Sequence, residues 1–436
     1  MGLGIHGGGE GVARYLVNKG AKVTVTDLKT KNQLEPTLKK LSGLPIKYIL
    51  GQHQISDFKK ANLIIRNPDV SLNSPFLKTA RQHKIPILME INLFWEESLS
   101  KKIIGVTGTK GKTTTASLIK AALSSAGIKV VLGGNLGISL LEILPKIDKN
   151  TWAILELSSW QLEGLKNQRS SPHISVITNI FPDHLNRYRS MKDYVAAKKL
   201  IFAYQKKSDY LVLNQENSWT KQLQKEAPGK VVLFSKKDVP KSWPAKIKIP
   251  GDHNLANIAA TLAVAKILKV KPNSAKKGII SFPGISHRLE LVKSISGIKF
   301  YNDSTATNPS ASQMAIRSFA QPLIWILGGT DKNLTFTTLI KEAQRKTNLK
   351  ALILLAGTAT EKIKNKIEKY PLSTKVFGPF DQLLPAVYKA YQIARAGDIV
   401  LLSPGAASFG MFQNEFDRGN QFKKIVNDLA QQKPAL

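Results

Sequence analysis

The sequence predicts an α/β protein of three domains built mainly on parallel sheets. Three observations carry this. Apolar strand-like runs alternate with helix-like runs almost throughout, the pattern of helical crossovers between parallel strands. Two glycine-rich turns run directly into helices, MGLGIHGGGE at the start and GVTGTKGKTTT at 105–115. The length, 436 residues, exceeds what one ordinary domain holds, since single cores stop growing at roughly 250–300 residues.

Composition narrows the class. The apolar share of 42% suits a globular protein with a core in each domain. No apolar run approaches the roughly 18 residues of a membrane-spanning helix, and ALILLAG at 351–357 has the length of a buried strand. The start carries no basic-then-apolar leader, and cysteine is absent, which excludes disulfides, thiolate metal sites and cysteine nucleophiles. Together these features point to the cytoplasm. The 64 Lys+Arg residues outnumber 30 Asp+Glu, giving a net charge of +34 that attracts anions, nucleic acid among them. The basic residues are spread along the chain, with no basic tail and no basic run interleaved with aromatics. A lysine-rich solvated surface accounts for most of them, and a multiply charged nucleotide-linked substrate would profit from the field.

The first block covers 1–98. Its glycine turn enters a helix, the strand AKVTVTD ends in Asp27, and ANLIIRNPDV closes on Asn67-Pro68. This order is Rossmann-like, but such a turn should follow a first strand, and here the chain begins on the turn. We expect either an internal Met1 or a missing first strand, and favour the former because loss of a central strand exposes two strand edges. The plain G-x-G-x-x-G fingerprint does not occur, so dinucleotide binding is weakly supported.

The second block covers 99–286. The strand KKIIGVTG leads into Gly108, Thr109, Lys110, Gly111, Lys112, Thr113 and Thr114, then into an apolar helix. The usual leading glycine of the phosphate loop is absent, because Val106 stands there. The physics still holds: glycines let backbone N–H groups face phosphate oxygens at a helix's positive end. Lys112 can reach the β- and γ-phosphates of ATP, and the Thr113 hydroxyl can bind Mg2+. Glu156 ends the strand TWAILE, where a carboxylate can complete the metal's shell. His184 follows the strand VITNI. Asn254 and Asn257 lie three apart in GDHNLANIAA, on one helix face.

The third block covers 287–436. Strands in IKFYND, PLIWILGG, ALILLAG and DIVLLSPG alternate with helices, which reads as a second Rossmann-like domain. Short joins near 99 and 286 read as hinges.

The variant loop G-T-K-G-K-T resembles that of the Mur ligase superfamily, and the resemblance extends over essentially the whole chain. It implies a P-loop-type central ATPase domain between a UDP-substrate-binding domain and an amino-acid-binding domain. ELSSWQLE at 156–163 is similar to the segment of the D-glutamate-adding members. That implies ATP-dependent addition of D-glutamate to UDP-N-acetylmuramoyl-L-alanine in peptidoglycan synthesis, through an acyl phosphate. The resemblance further implies catalytic roles for Lys112, Glu156, His184 and Lys198, and two Mg2+ sites with Thr113, Glu156, His184 and a carbamylated Lys198 as ligands. ATP contacts are implied for Asn254, Asn257 and Arg288. UDP-substrate contacts are implied for Gly4, Ile5, His6, Asp27, Lys29, Asn67 and Asn135, and amino-acid contacts for Thr307, Lys332, Ser408, Phe409 and Phe416. A monomer is implied, with no nucleic acid required and no membrane insertion. Thr305 stands where many relatives carry Lys, and Glu415-Phe416 reverses their commoner order. Competing readings are a Mur-type ligase for another amino acid and a nucleic-acid-dependent ATPase. A folylpolyglutamate-type ligase fits less well, because that family lacks the first block.

Overall fold

A computed structural model of the protein describes residues 1–5, 7–184, 187–244 and 247–431. The chain forms two compact units: Met1–Lys241 with Leu255–Ile279, and Ser242–Asn254 with Ile280–Leu436. The first sequence block and most of the second, apart from 242–254 and 280–286, thus pack within one unit while keeping separate sheets.

In the N-terminal part, β1 (Val23–Asp27) pairs in parallel with β2 (Ile46–Leu50), and β3 (Ile64–Ile65) with β4 (Ile87–Leu88). Among the described residues no strand precedes the helix Gly8–Asn18. Met1 and Gly2 bridge the two strand pairs, with Gly2 in the left-handed region at φ 77°. The Gly2 N–H donates to the Thr26 carbonyl at 2.8 Å, the Met1 amine to the Ile65 carbonyl at 2.9 Å, and the Asn67 N–H to the Met1 carbonyl at 2.9 Å. Leu3 joins Val23, Val25 and Leu34 in a small core. The turn after Leu3 opens the helix Gly8–Asn18.

The second sheet comprises β5 (Ile103–Thr107), β6 (Val130–Gly134), β7 (Trp152–Glu156), β8 (Ile174–Ile177), β9 (Tyr210–Asn214) and β10 (Lys230–Phe234). All its pairings are parallel, in the order β10-β9-β8-β5-β7-β6. Parallel strands are covered by helices on both faces and read as continuous apolar runs, as IIGVT of β5 and ISVI of β8 do. Because β5 lies between two later strands, the loops after β5, β7 and β8 emerge side by side at one sheet end, where α/β folds bind ligands. The helix Glu90–Glu97, assigned by sequence to the first block, buries Ile91 and Phe94 in the second sheet's core with Leu140, Leu157 and Leu162.

The second unit holds β11 (Glu290–Ile295), β12 (Ile298–Asn302), β13 (Leu323–Gly328), β14 (Leu349–Leu355), β15 (Lys375–Phe380) and β16 (Ile399–Leu402). Their order is β11-β12-β16-β13-β14-β15, and β11 is antiparallel to its neighbour. No helix among the described residues is long and apolar enough to cross a membrane.

One buried cation organises this unit. Arg418 is fully buried on the helix Glu415–Gln431. Its guanidinium donates to the Ser304 hydroxyl at 3.0 Å, the Ser304 carbonyl at 2.9 Å and the Ala406 carbonyl at 3.3 Å. Burial pulls its pKa down to about 10. Each carbonyl orphaned by truncation costs about 1–3 kcal/mol. Arg418→Ala is therefore expected to lower the unfolding midpoint by several degrees in differential scanning calorimetry; an unchanged midpoint would contradict this role.

Candidate active site at the phosphate loop

Gly108 begins the loop with a φ of 150°, and a Cβ there would stand 1.9 Å from the Thr178 hydroxyl oxygen. Only glycine fits, because the loop is clamped against the segment after β8. The Thr109 N–H donates to the Asn179 carbonyl at 2.9 Å, and the Lys110 N–H to the Asn179 Oδ1 at 2.9 Å. The Thr178 hydroxyl and the Asn179 amide both donate to the Lys110 carbonyl, at 2.7 and 3.1 Å. The backbone amides of Thr109 and Lys110, expected to face phosphate, are thus engaged by Asn179. The amides left for an anion are those of the first turn of the helix Lys112–Ser125, which have no intrahelical acceptor. Thr113 and Thr114 lie in that turn. Asn257 supports it by accepting the Thr115 hydroxyl proton at 3.2 Å.

Two lysines converge on one carbonyl. Lys112 Nζ donates to the Gly108 and Thr109 carbonyls at 3.1 and 3.2 Å. Lys198 Nζ donates to the same Gly108 carbonyl at 3.0 Å from the helix Met191–Lys199 and is 1% exposed. Burial, with Lys112 adding repulsion, holds the Lys198 amine well below the ordinary lysine range, against a weaker pull from Asp183. Its neutral form is therefore accessible. Nζ also stands 4.7 Å from the Tyr194 ring centroid.

Glu156 closes β7 opposite Val106 of β5. It is 1% exposed; Oε1 accepts from the Asn135 amide at 3.1 Å, while Oε2 is buried with no hydrogen-bond partner. A buried carboxylate oxygen without a donor calls for a cation. His184 has a left-handed backbone with φ 54° and packs edge-on to Trp160 at 5.2 Å. Burial chiefly lowers its pKa; Asp183 opposes this, and Lys198, Lys112 and Lys110 add to it. The ring is thus biased to the neutral, ligating form. Among the described residues no three His, Asp or Glu side chains gather into a metal cluster. A cation here would need hydroxyl or phosphate oxygens beside Glu156, which is Mg2+-type coordination.

The substrate-side residues meet this site through the loop after β6. Asn135 is bound to Glu156 through its side chain and through its N–H, which donates to the Glu156 carbonyl at 2.9 Å. Two residues on, the Gly137 carbonyl oxygen lies 3.0 Å from where a Gly7 Cβ would be, so the N-terminal glycine turn abuts this loop. Within that turn the Gly4 N–H donates to Asp27 Oδ2 at 3.0 Å, and the Lys29 N–H to Asp27 Oδ1 at 2.8 Å. Asp27 therefore shapes the turn with both oxygens. Ile5 and Lys29 are exposed, and Asn67 lies beside Gly4. His6 lies outside the described residues.

In the second unit β13 and β16 are adjacent, so LGGTDKNL and SPGAASFG leave the sheet together and join through paired hydrogen bonds between Thr330 and Ala407. Ser408 is buried there, while Lys332, Phe409 and Phe416 are exposed. Thr307 is half-buried in the loop after β12. Thr305 spends its hydroxyl on the His287 carbonyl at 2.8 Å. Arg288 is exposed in this unit between two left-handed residues, His287 and Leu289. Asn254 falls in the stretch grouped with this unit, whereas Asn257 belongs to the first; the division crosses their shared helix.

Sequence reasoning missed several charged residues around the site: Arg66, Glu90, Glu163 and Arg187. Arg66, Glu90 and Arg187 carry no local signal, and Glu163 ends the motif ELSSWQLE but gains its ion-pair role only through packing. Glu90 is nearly fully buried and accepts from the Ser139 hydroxyl and from the Leu140 N–H at 2.8 Å, anchoring the far end of the loop that carries Asn135. Burial pushes its pKa up to about 7 from 4.5. Its proton is bound folded and unfolded alike below pH 4.5, so its full contribution is present there and is lost as pH rises through about 7. Glu90→Gln is expected to flatten the fall in unfolding free energy between about pH 4.5 and 7, by up to about 3 kcal/mol. A profile parallel to that of the unsubstituted protein would refute the assignment.

The comparisons with known proteins agree with this geometry. The family models for the Mur ligase MurD-like N-terminal domain, the Mur ligase middle domain and the Mur ligase glutamate ligase domain match residues 1–89, 106–265 and 287–405. The chain is 42% identical to a UDP-N-acetylmuramoylalanine--D-glutamate ligase of Roseiflexus sp., covering 98% of both chains. It is 39% identical to the ligase of that name from Borreliella afzelii, over 98% of this chain and 97% of the relative. Among solved structures, UDP-N-acetylmuramate-alanine ligase MurC from Thermotoga maritima shares the fold with a TM-score of 0.62 at 19% identity, over 98% of each chain. A pseudomurein peptide ligase type C from Methanothermus fervidus shares it with a TM-score of 0.55 at 21% identity, over 97% of each chain. With its clamped phosphate loop, and with relatives matched along nearly its full length, the chain belongs to the Mur ligase family, in the branch with a MurD-like N-terminal domain.

Proposed function

We propose that the protein joins D-glutamate to UDP-N-acetylmuramoyl-L-alanine at the expense of ATP, giving ADP and phosphate, in peptidoglycan synthesis. The observation that carries this is the convergence of Lys112 and Lys198 on the Gly108 carbonyl, one strand from the unpartnered Glu156 oxygen. That arrangement suits a polyphosphate with its cation. The choice of substrates is supported by relatives of that name, matched over 98% of the chain at 42% identity. Nucleotide-linked substrates of this kind accord with a cytoplasmic enzyme acting as a monomer.

In this reading no side chain becomes covalently attached to substrate. An oxygen of the substrate's L-alanyl carboxylate bonds to the γ-phosphorus as the bond to ADP breaks, giving an acyl phosphate. The D-glutamate amine then attacks the acyl carbon. The tetrahedral adduct expels inorganic phosphate, and the amine loses a proton as the amide forms. Lys112 neutralises charge on the transferring phosphoryl group, and the first-turn amides at Thr113 and Thr114 orient it. Glu156, the Thr113 hydroxyl and His184 would hold Mg2+, which supplies further charge neutralisation when bound. Asn135 orients Glu156. Gly4, Ile5, Asp27, Lys29 and Asn67 line the proposed UDP side. Thr307, Lys332, Ser408, Phe409 and Phe416 are proposed for the amino acid.

Lys198 is proposed to carry a carbamate. Its buried, depressed amine can attack CO2, forming an N–C bond and releasing one proton, and the resulting anion could serve a second cation. Protein enriched with 13C-bicarbonate should give one carbamate carbonyl resonance that Lys198→Ala removes; a spectrum without it at neutral pH would overturn the modification.

The overall reaction is tested by phosphate release with the UDP-linked acceptor and a panel of D- and L-amino acids. D-glutamate is expected to give the highest rate, and Lys112→Ala to reduce it by about 10³-fold or more, as for other groups aimed at developing charge. Preference for another amino acid would reassign the substrate. Near-normal turnover by Lys112→Ala would reject the phosphate-loop mechanism.

A further inference from the structure

Two arginines share one carboxylate beside the site. Glu163 lies on the helix Ser159–Gln168. Its Oε2 accepts from Arg66 at 2.9 Å and its Oε1 from Arg187 at 3.3 Å. Arg66 is 3% exposed, follows β3, and also donates to the Val70 carbonyl at 2.8 Å. Arg187 stands three residues after His184. It donates to the Pro68 carbonyl at 2.9 Å and the Asp69 carbonyl at 3.2 Å, in the turn just after Asn67.

Arg187 reaches the other way as well. Its guanidinium lies 4.4 Å from the Trp160 ring centroid, and Trp160 packs edge-on to His184 at 5.2 Å. The Trp160 Nε1 is buried with no hydrogen-bond partner. No polar contact of its own fixes the indole, so its position rests on stacking, with Arg187 on its face. One guanidinium thus touches both the turn beside the proposed UDP pocket and the aromatic neighbour of His184. Glu163, locked from behind by buried Arg66, fixes that guanidinium's orientation.

We propose that Arg187 is a positioning residue that, oriented by Glu163, couples the 67–69 turn to the His184 loop, so that loading of the UDP-linked substrate and placement of His184 occur together. The assignment rests on the function proposed above for its kinetic consequence, but not for its structural one. Lysine cannot replace it, because a lysine head lacks the planar fork that donates to two carbonyls and stacks at once.

The test uses the full-length protein with Arg187→Ala, Arg187→Lys and Glu163→Gln. Hydrogen–deuterium exchange reads the coupling without substrate. Both arginine variants are expected to raise exchange rates in 64–70 and in 178–190 together, by roughly tenfold, and Glu163→Gln to do so less, in line with sub-global opening. Unchanged protection in 64–70, with the variants folded by calorimetry, overturns the proposal; if Arg187→Ala fails to fold, Glu163→Gln alone decides it by the same reading. In steady-state assays at a temperature well below each unfolding midpoint, both arginine variants should raise KM for the UDP-linked acceptor and lower kcat by roughly 10- to 100-fold, as for misplacement of a reacting group, with KM for ATP little changed. Recovery of full kcat by Arg187→Lys overturns the need for a guanidinium. Absence of ligase activity in the unsubstituted protein would defeat the proposed function while leaving the exchange result to decide the coupling.

Discussion

The first unit depends on fixing one short loop between two strands of a parallel sheet. Gly108 approaches Thr178 so closely that no side chain fits, and Asn179 takes up the amides and the carbonyl that would let the loop relax. With the loop held, its carbonyls become a collecting point for cations. Lys112 and Lys198 meet there, and burial together with repulsion from Lys112 lowers the pKa of Lys198. The same crowding biases His184 to its neutral form. The Lys112 side chain stands beside the first-turn amides of its own helix, and this local arrangement, more than the global charge of +34, is the reason to expect nucleotide phosphate here.

The acidic residues follow the opposite rule. Glu156, Glu90 and Glu163 each tie separate segments together, and the energetic character of each is set by what surrounds it. Glu163 sits between two guanidiniums. Glu90 meets only a hydroxyl and a backbone amide, and so holds its proton to about pH 7. Glu156 keeps one oxygen unsatisfied. Of the three, only Glu156 stands at the end of a strand flanking the phosphate loop.

Much of this was legible in the linear sequence. Alternating apolar runs gave the class, and GTKGKT, ELSSWQLE and the loop ending in His184 gave the loop, the acid and the histidine, because glycines before a helix and polar residues at strand ends carry their own chemical reason. The helix Glu90–Glu97 was assigned to the wrong neighbour, since its apolar face does not say which sheet it covers. Met1–Leu3 carry no periodicity of their own, and the hydrogen bonds of Met1 and Gly2 to residues 26, 65 and 67 exist only in the fold.

The sequence by itself determined the kind of chemistry: a phosphate loop, a metal-competent acid and a candidate amine, each marked by residue type at a fixed local spacing. Tertiary structure decided their state. Lys198 and its neighbour Lys199 are equivalent in sequence, yet one is buried on the Gly108 carbonyl and the other pairs with Glu226. Arg187 and Glu163 are ordinary charges until Arg66 and Trp160 are brought to them from distant segments. Ionisation and orientation depend on burial and on partners remote in the chain, and no local spacing encodes either.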